Sequence, residues 1–159
     1  RSSPIPEGCP LKNRPKIVFI DELGLENSVL LAPSGVDCPC EIRRCTILSG
    51  IEFRTQPNLL LDSVVLGGIS ALQPNTRVEH SNIFCKEPRF HKFAVAGKGC
   101  FSADPQFRDP ANFDYRLRPT SPCRGKASDG GDIGCRYTPE MMEILEKALE
   151  LRRKGIIKF

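Results

Sequence analysis

Leu25-x-x-Ser28-x-Leu30 opens a six-residue pattern that returns as Ile42-x-x-Cys45-x-Ile47, Leu60-x-x-Ser63-x-Val65 and Val78-x-x-Ser81-x-Ile83. Successive copies start 17, 18 and 18 residues apart. A nearly constant period of this size is typical of a solenoid, in which each coil places similar side chains above those of the coil before it. We therefore predict stacked coils in which Ser28, Cys45, Ser63 and Ser81 share one interior column.

The short period favours strands over helices. A coil of 18 residues with this much proline and glycine cannot hold the two helices of a helical repeat. Ser63 and Val65 lie two positions apart, so we expect both to point inward along one strand. A left-handed hexapeptide solenoid is the second interpretation, because several apolar residues fall on a six-residue grid. Arg54 interrupts that grid.

These signals divide the chain into four regions. Residues 1–15 are polar and Pro-rich and are predicted to be an irregular segment or linker, whereas residues 16–20 have the composition of a first strand. Coils are predicted over 16–103, with a basic, aromatic loop leaving the solenoid at 86–99. A closing segment is predicted at 104–137, and a helix with a short tail at 138–159.

Charge and hydropathy argue against two classes of partner. The formal net charge is +4, and the basic residues are scattered, with local concentrations at 43–44, 116–126 and 152–154. A nucleic-acid binder usually has a denser basic stripe with interleaved aromatic residues, so no nucleic-acid partner is predicted. No apolar run is long enough for a membrane span, and no signal sequence is recognised. Because the chain starts at Arg1, we expect it to be a mature or excised piece of a longer protein.

The chain contains eight cysteines, which is many for a cytosolic protein of this length. An even number of cysteines is compatible with disulfides and so predicts an exported, extracellular or cell-surface protein. Sequence order suggests two pairings, Cys85 with Cys100 and Cys123 with Cys135.

Three further cysteines raise the alternative of zinc. Cys38, Cys40 and Cys45 lie within eight residues. Structural zinc commonly uses paired C-x-x-C knuckles, and C-x-C lacks that spacing. Cys45 also belongs to the interior column, so no metal site and no cofactor are predicted.

Residues 104–134 carry a series of turn-forming motifs. They read Asp104-Pro-x-Phe107, Asp114-x-x-Leu117-x-Pro119-x-Ser121-Pro122 and Asp132-Ile133-Gly134. This series resembles the closing segment of right-handed parallel β-helix proteins of the pectate-lyase-like superfamily. The resemblance implies an all-β fold, a right-handed parallel β-helix of about four short coils. It implies no single activity, because lyases, hydrolases, adhesins and structural proteins share this ending.

The sequence departs from that family pattern at two cysteines. Cys123 follows Ser121-Pro122, where a small aliphatic residue is common, and Cys135 follows Asp132-Ile133-Gly134 directly. The departure supports a disulfide between Cys123 and Cys135.

A helix is predicted at the C-terminal end. Thr138 can cap a helix whose first residue is Pro139, and Gly155 lies where a helix often ends. An apolar stripe that includes Met142 and Leu145 needs a partner surface. We expect the helix to cap the solenoid, and docking on another protein chain is the alternative.

One polar column beside the repeat is the best candidate binding site. Stacking aligns Asn27, Arg44, Asp62 and His80, with successive coils about 4.8 Å apart. Arg44, Asp62 and His80 would then form a charged ladder that could bind an acidic sugar, and His80 could exchange a proton near neutral pH. The competing interpretation is structural, because stacked opposite charges stabilise a solenoid without any ligand.

No catalytic residue is predicted. The interior serines have no base beside them and are therefore unreactive. Glycoside hydrolysis needs two carboxylates flanking one bond. Asp104, Asp109 and Asp114 belong to the turn-rich closing motif, so no such pair can be singled out.

The sequence therefore predicts a non-catalytic module with a structural, adhesive or glycan-contacting role, at the C-terminal end of an exported β-helix protein. The expected partners are a polysaccharide or another protein chain that contacts the C-terminal helix. Two alternatives remain open: part of a polysaccharide lyase or hydrolase whose main groove lies on other coils, and an assembly subunit of a larger particle.

Overall fold

The computed structural model describes residues 23–31 and 34–158, and the strands within them follow the predicted coils. The predicted irregular segment at 1–15 and the predicted first strand at 16–20 lie outside the described residues, as does Cys9, one of the eight cysteines.

Three parallel sheets run along the sides of the solenoid, each with four strands in the part of the chain that is described. The first sheet contains β1 (Leu23–Glu26), β4 (Cys40–Arg43), β7 (Asn58–Leu61) and β10 (Thr76–Glu79). The second contains β2 (Val29–Leu30), β5 (Thr46–Ile47), β8 (Val64–Val65) and β11 (Asn82–Ile83). The third contains β3 (Ser34–Val36), β6 (Ile51–Phe53), β9 (Ile69–Ala71) and β12 (Phe90–Lys92).

The coils stack in the register that the repeat predicts. Leu25, Ile42, Leu60 and Val78 are successive partners across the first sheet. The four described coils confirm the predicted parallel β-solenoid. Strands β7, β8 and β9 have four, two and three residues. A hexapeptide solenoid requires three equal units in each coil, and this coil has three unequal strands.

The interior column is held by hydrogen bonds between neighbouring coils. The Ser63 hydroxyl accepts from the Cys45 N–H (3.1 Å) and donates to the Leu61 carbonyl (2.9 Å). Ser81 repeats this arrangement one coil later, with the Ser63 N–H (3.2 Å) and the Glu79 carbonyl (2.8 Å). Cys45, Ser63 and Ser81 have no exposed surface. The small polar side chains therefore satisfy backbone groups that the bend would otherwise leave unpaired.

The structure differs from the sequence prediction at 86–99, because part of this segment stays on the solenoid. Strand β12 pairs in parallel with β9. The Gly97 N–H donates to Val78 (2.9 Å), and the Phe101 N–H donates to Ser81 (3.1 Å). The backbone thus begins a further turn over the fourth coil, and Cys100 continues the interior column.

Two apolar cores lie on opposite sides of the second sheet. The first fills the solenoid and includes Ile42, Phe53, Leu60 and Ile69, none of which is exposed. The second lies between the outer face of the second sheet and the closing segment. Its buried members are Val64, Phe107, Tyr115, Leu117, Cys123, Ala127 and Ile133. The closing segment therefore covers a flank of the solenoid.

The closing segment begins with an antiparallel hairpin. Strands β13 (Phe107–Asp109) and β14 (Asp114–Leu117) are joined by a 3-10 turn at Pro110–Asn112. The rings of Phe107 and Tyr115 meet edge to face, with centroids 5.3 Å apart. This pair anchors the hairpin in the second core.

The predicted C-terminal helix is present as α1 (Pro139–Arg153). The Thr138 hydroxyl accepts from the Met141 N–H, and Gly155 (φ 72°) ends the helix with a bond from its N–H to the Arg152 carbonyl (3.0 Å). No residue of α1 is fully buried, but Met142 and Leu145 of its apolar stripe are half-buried, and Met141 Sδ lies 3.8 Å from the Asn27 amide of the first coil. Within the described residues, no helix is long and apolar enough to cross a membrane.

Candidate functional site

The predicted polar column lies at one corner of the solenoid, directly after the strands of the first sheet. Asn27, Arg44, Asp62 and His80 have φ values of 50°, 50°, 53° and 46°. A left-handed residue is required there in every coil. Asn and Asp adopt this conformation more readily than other non-glycine residues. The column therefore repeats for a reason of backbone geometry.

Asp62 is buried, and the closing segment covers it. Its Oδ1 accepts from the Ser128 N–H and its Oδ2 from the Ser128 hydroxyl, both at 2.6 Å. Its backbone carbonyl accepts from the Gly134 N–H at 2.8 Å. Both carboxylate oxygens are therefore already occupied by protein donors.

Asn27, in the first coil, also forms hydrogen bonds with the closing segment. Its amide accepts from the Arg136 N–H (2.6 Å) and donates to the Arg136 carbonyl (2.7 Å). Gly134 packs so closely against the second sheet that an added Cβ would lie 3.0 Å from Thr46 Oγ1 and 3.1 Å from Val64 Cγ2. Only glycine fits this approach comfortably, which explains the Gly of the Asp-Ile-Gly motif.

Arg44 and His80 have different neighbours. Arg44 forms an ion pair with Glu26 and lies 3.9 Å from Asp129. The His80 N–H donates to the Lys98 carbonyl (2.8 Å), and its ring packs against Gly99. Among the described residues, no hydrogen bond or ion pair joins Arg44, Asp62 and His80 to one another. The three side chains share a column, and ligand binding there stays a prediction.

Residues 121–137 contact all four coils. Four side chains of the corner and of the second sheet bind them, one from each coil: Asn27 binds Arg136, Thr46 binds Cys135, Asp62 binds Ser128 and Asn82 binds Cys123. Sequence analysis missed this role, because each contact joins residues that are at least 41 positions apart. The one local signal is the αL preference of Asn27 and Asp62.

The seven cysteines among the described residues are free thiols in the structure. Cys123 accepts from the Asn82 amide in the fourth coil (3.2 Å), whereas the Cys135 N–H donates to Thr46 in the second (3.0 Å). Cys100 donates to the Val78 carbonyl (3.2 Å). The pairings of Cys85 with Cys100 and of Cys123 with Cys135 remain predictions.

Burial disfavours the reactive thiolate form of Cys40 and Cys135. Desolvation, with a smaller contribution from Cys38, raises the pKa of the Cys40 thiol from 9.0 to about 12. The pKa of Cys135 rises to about 11, mainly through burial and partly through Cys45.

Within the described ranges, no group of three or more His, Cys, Asp or Glu residues could hold a metal ion.

A cleft of about 450 Å³ brings four arginines together. It lies between the hairpin and the end of the closing segment. Its lining is Arg108, Arg116, Leu117, Arg124, Gly131, Asp132, Cys135, Arg136 and Tyr137. The basic concentration at 116–126 was the sequence signal for this cleft, but Arg108 and Arg136 join it only through the fold.

In comparisons with known proteins, no family matches this chain, and no curated protein is similar to it. The parallel β-solenoid is therefore established by the structure alone. Membership of the pectate-lyase-like superfamily depends on the resemblance of residues 104–134.

Proposed function

We propose that this chain is the C-terminal part of an exported, right-handed parallel β-helix protein of the pectate-lyase-like superfamily, with a non-catalytic role. The module has a structural, adhesive or glycan-contacting function at the cell surface or outside the cell. The resemblance of the closing segment and the four stacked coils support this assignment.

The observation that carries the non-catalytic part is the use of the polar column by the fold itself. Asp62, the carboxylate of the predicted ladder, is buried and accepts two hydrogen bonds from Ser128. Ser63 and Ser81 satisfy backbone groups inside the solenoid. A nucleophile needs an adjacent base, and neither serine has one among its hydrogen-bond partners. These groups support the stack and are not arranged to attack a substrate.

A polysaccharide assay tests this proposal. The purified chain is passed over immobilised polygalacturonate and over a neutral glucan, and the eluates are assayed for reducing and unsaturated sugar ends. We expect retention on the acidic polymer with no new ends. Release of either kind of end would show that the module is part of an enzyme.

An assembly role is the second candidate, because several large apolar side chains are exposed. Phe93, Val95, Ile144 and Ile156 are 56%, 63%, 69% and 67% exposed. Such side chains are typical of surfaces that meet another chain when they form a continuous patch. Light scattering during gel filtration separates the candidates, since an assembly subunit would elute far above the 17.7 kDa of one chain.

A further inference from the structure

Two large apolar side chains are exposed in residues 92–98, which follow β12 over the fourth coil and are called the end loop below. The end loop reads Lys92-Phe-Ala-Val-Ala-Gly-Lys98. Ala94 is 3% exposed and belongs to the first core, whereas its neighbours Phe93 and Val95 are 56% and 63% exposed. The end loop therefore inserts one small residue into the solenoid and leaves the larger apolar residues on either side of it in solvent.

The backbone of the end loop is fixed on the solenoid. The Phe93 N–H donates to the Ala71 carbonyl of the third coil at 3.0 Å. The Gly97 N–H donates to the Val78 carbonyl of the fourth coil at 2.9 Å. The exposure of Phe93 and Val95 is thus imposed by hydrogen bonds on both sides of them, and the two side chains project from a rigid support.

A lysine flanks the apolar side chains at each end of the loop. Lys98 is exposed, and within the part of the chain that the structure describes it forms no ion pair. Lys92 is 56% exposed and lies 3.7 Å from Glu52, which is longer than a charge-assisted hydrogen bond. Both ammonium groups can therefore approach an anionic surface together with the apolar side chains.

The carboxylates beside the end loop have arginine partners of their own. Glu52 accepts from Arg54 Nε at 2.9 Å. Glu79, whose Cγ would lie 3.2 Å from a Cβ added to Gly97, accepts from Arg77 at 2.9 Å. The end loop itself contains no carboxylate. Its two lysines thus leave this end of the solenoid with an excess of positive charge.

We propose that the end loop docks on the surface of an anionic phospholipid bilayer. Phe93 and Val95 enter the boundary between headgroups and acyl chains, while Lys92 and Lys98 reach the headgroup phosphates. A stable protein partner would need roughly 800 Å² on each side, which is more than a seven-residue loop supplies. Apolar side chains beside unpaired lysines match the two layers of an anionic membrane surface. This contact is separate from the proposed polysaccharide role.

Fluorescence tests the insertion, because the chain contains no tryptophan and Phe93→Trp introduces a single reporter. Vesicles of phosphatidylglycerol and phosphatidylcholine in equal parts are compared with vesicles of phosphatidylcholine alone. With the anionic vesicles, we expect F93W emission to shift to shorter wavelength and to be quenched by brominated acyl chains. Ile144→Trp is the matched control, because Ile144 is 69% exposed on α1, and its emission should stay unchanged.

Vesicle sedimentation tests the contribution of charge. K92Q/K98Q should lower the partition coefficient roughly tenfold or more, because each lysine near an anionic surface contributes about fivefold. K126Q/K147Q removes the same charge from exposed residues outside the end loop and should lower it about twofold at most, since distant charges are screened.

Equal losses in the two double variants would overturn the proposal, as would equal spectral shifts of F93W and I144W. Light scattering during gel filtration examines a protein contact instead. If the wild-type chain forms an oligomer that F93S/V95S dissociates, the end loop contacts another chain and the proposal is wrong.

Discussion

Ser128 donates two hydrogen bonds to Asp62, one from its backbone N–H and one from its hydroxyl, each 2.6 Å long. The two residues lie 66 positions apart and join the third coil to the closing segment. Asp62→Ala would remove the buried acceptor of both hydrogen bonds, which come from an otherwise exposed Ser128. We expect it to lower the free energy of unfolding by about 1–3 kcal/mol, measured by urea denaturation.

Glu41→Gln is the control for Asp62→Ala. Glu41 is an exposed carboxylate on β4 that pairs with Arg43 at 3.2 Å. Exposed pairs contribute about 0–1 kcal/mol, so its loss should change stability little. Equal effects of the two substitutions would contradict a role for Asp62 in docking the closing segment.

In a parallel sugar-binding assay, loss of binding in a folded His80→Ala or Asp62→Ala variant would show that the polar column is a ligand site.

Arg44 is the corner residue least suited to its backbone conformation. With φ of 50°, it carries a left-handed cost of roughly 1–2 kcal/mol, which asparagine reduces. Its half-exposed ion pair with Glu26 contributes less, about 0–1 kcal/mol. We therefore expect Arg44→Asn to leave the chain equally stable or up to about 1 kcal/mol more stable in urea. A clear loss of stability would mean that the contacts of Arg44 outweigh its strain.

Acid should destabilise this protein through Asp114 and Asp129, which form ion pairs with Arg116 and Arg136 of the cleft. Hydrogen bonds from Arg136 and Arg116 lower the pKa of Asp129 and Asp114 below the ordinary value of 3.8. The unfolded chain therefore binds protons at a pH where the native carboxylates remain ionised. Their stabilisation is complete above the unfolded pKa and is lost as pH falls through the lower native pKa.

Urea unfolding between about pH 6 and pH 2.5 measures this dependence. Asp114→Asn should lower the free energy of unfolding at neutral pH and weaken the loss of stability between about pH 6 and pH 2.5. Asp37→Asn is the control, because its carboxylate is 73% exposed and pairs at 3.4 Å with Arg54. If the free energy of unfolding of Asp114→Asn fell with pH as steeply as that of the wild-type chain, other groups would cause the acid sensitivity.

Cys40 should resist alkylation in the folded protein. Its pKa is raised to about 12 by burial, whereas Cys38, two residues earlier, is half-buried. At about pH 8 we expect iodoacetamide to modify Cys38 but not Cys40 in the folded protein. In the unfolded protein we expect both thiols to react, and peptide mass spectrometry distinguishes the two results. Because the native pKa exceeds the unfolded value of 9.0, stability is complete below pH 9.0 and declines as pH rises towards about 12.

Intact mass before and after reduction tests the predicted disulfides in the same samples. A mass increase on reduction, with peptides linked through Cys85 and Cys100 or through Cys123 and Cys135, would confirm the pairings. An unchanged mass would favour the free thiols of the structure and weaken the argument for an exported protein.

The period of the repeat was enough to predict the coils, because stacking forces equivalent side chains into equivalent positions. Ser63 and Ser81 could be placed inside the solenoid for this reason. The further turn at 97–101 escaped prediction, since Gly97 stands where the earlier copies have an apolar residue. An added Cβ on Gly97 would lie only 2.3 Å from the Val78 carbonyl oxygen, so a side chain that fits the repeat pattern has no room where the backbone meets the fourth coil.

The candidate site was less predictable than the fold. The repeat period predicts the column that contains Arg44, Asp62 and His80, but it does not predict that the closing segment covers Asp62. The contact between Asn27 and Arg136 spans 109 residues, and no local pattern encodes it. The cleft around Arg108 depends likewise on a hairpin and a distant loop meeting in space.

The contacts of residues 121–137 with every coil have a consequence for the order of events during synthesis. Coils held only by their neighbours can form one at a time and fray from either end. Here the residues that fasten them together leave the ribosome only after all four coils. A nascent chain halted before Cys123 would hold a stack that unfolds gradually from its ends, and synthesis of residues 121–137 would turn it into a unit that unfolds cooperatively.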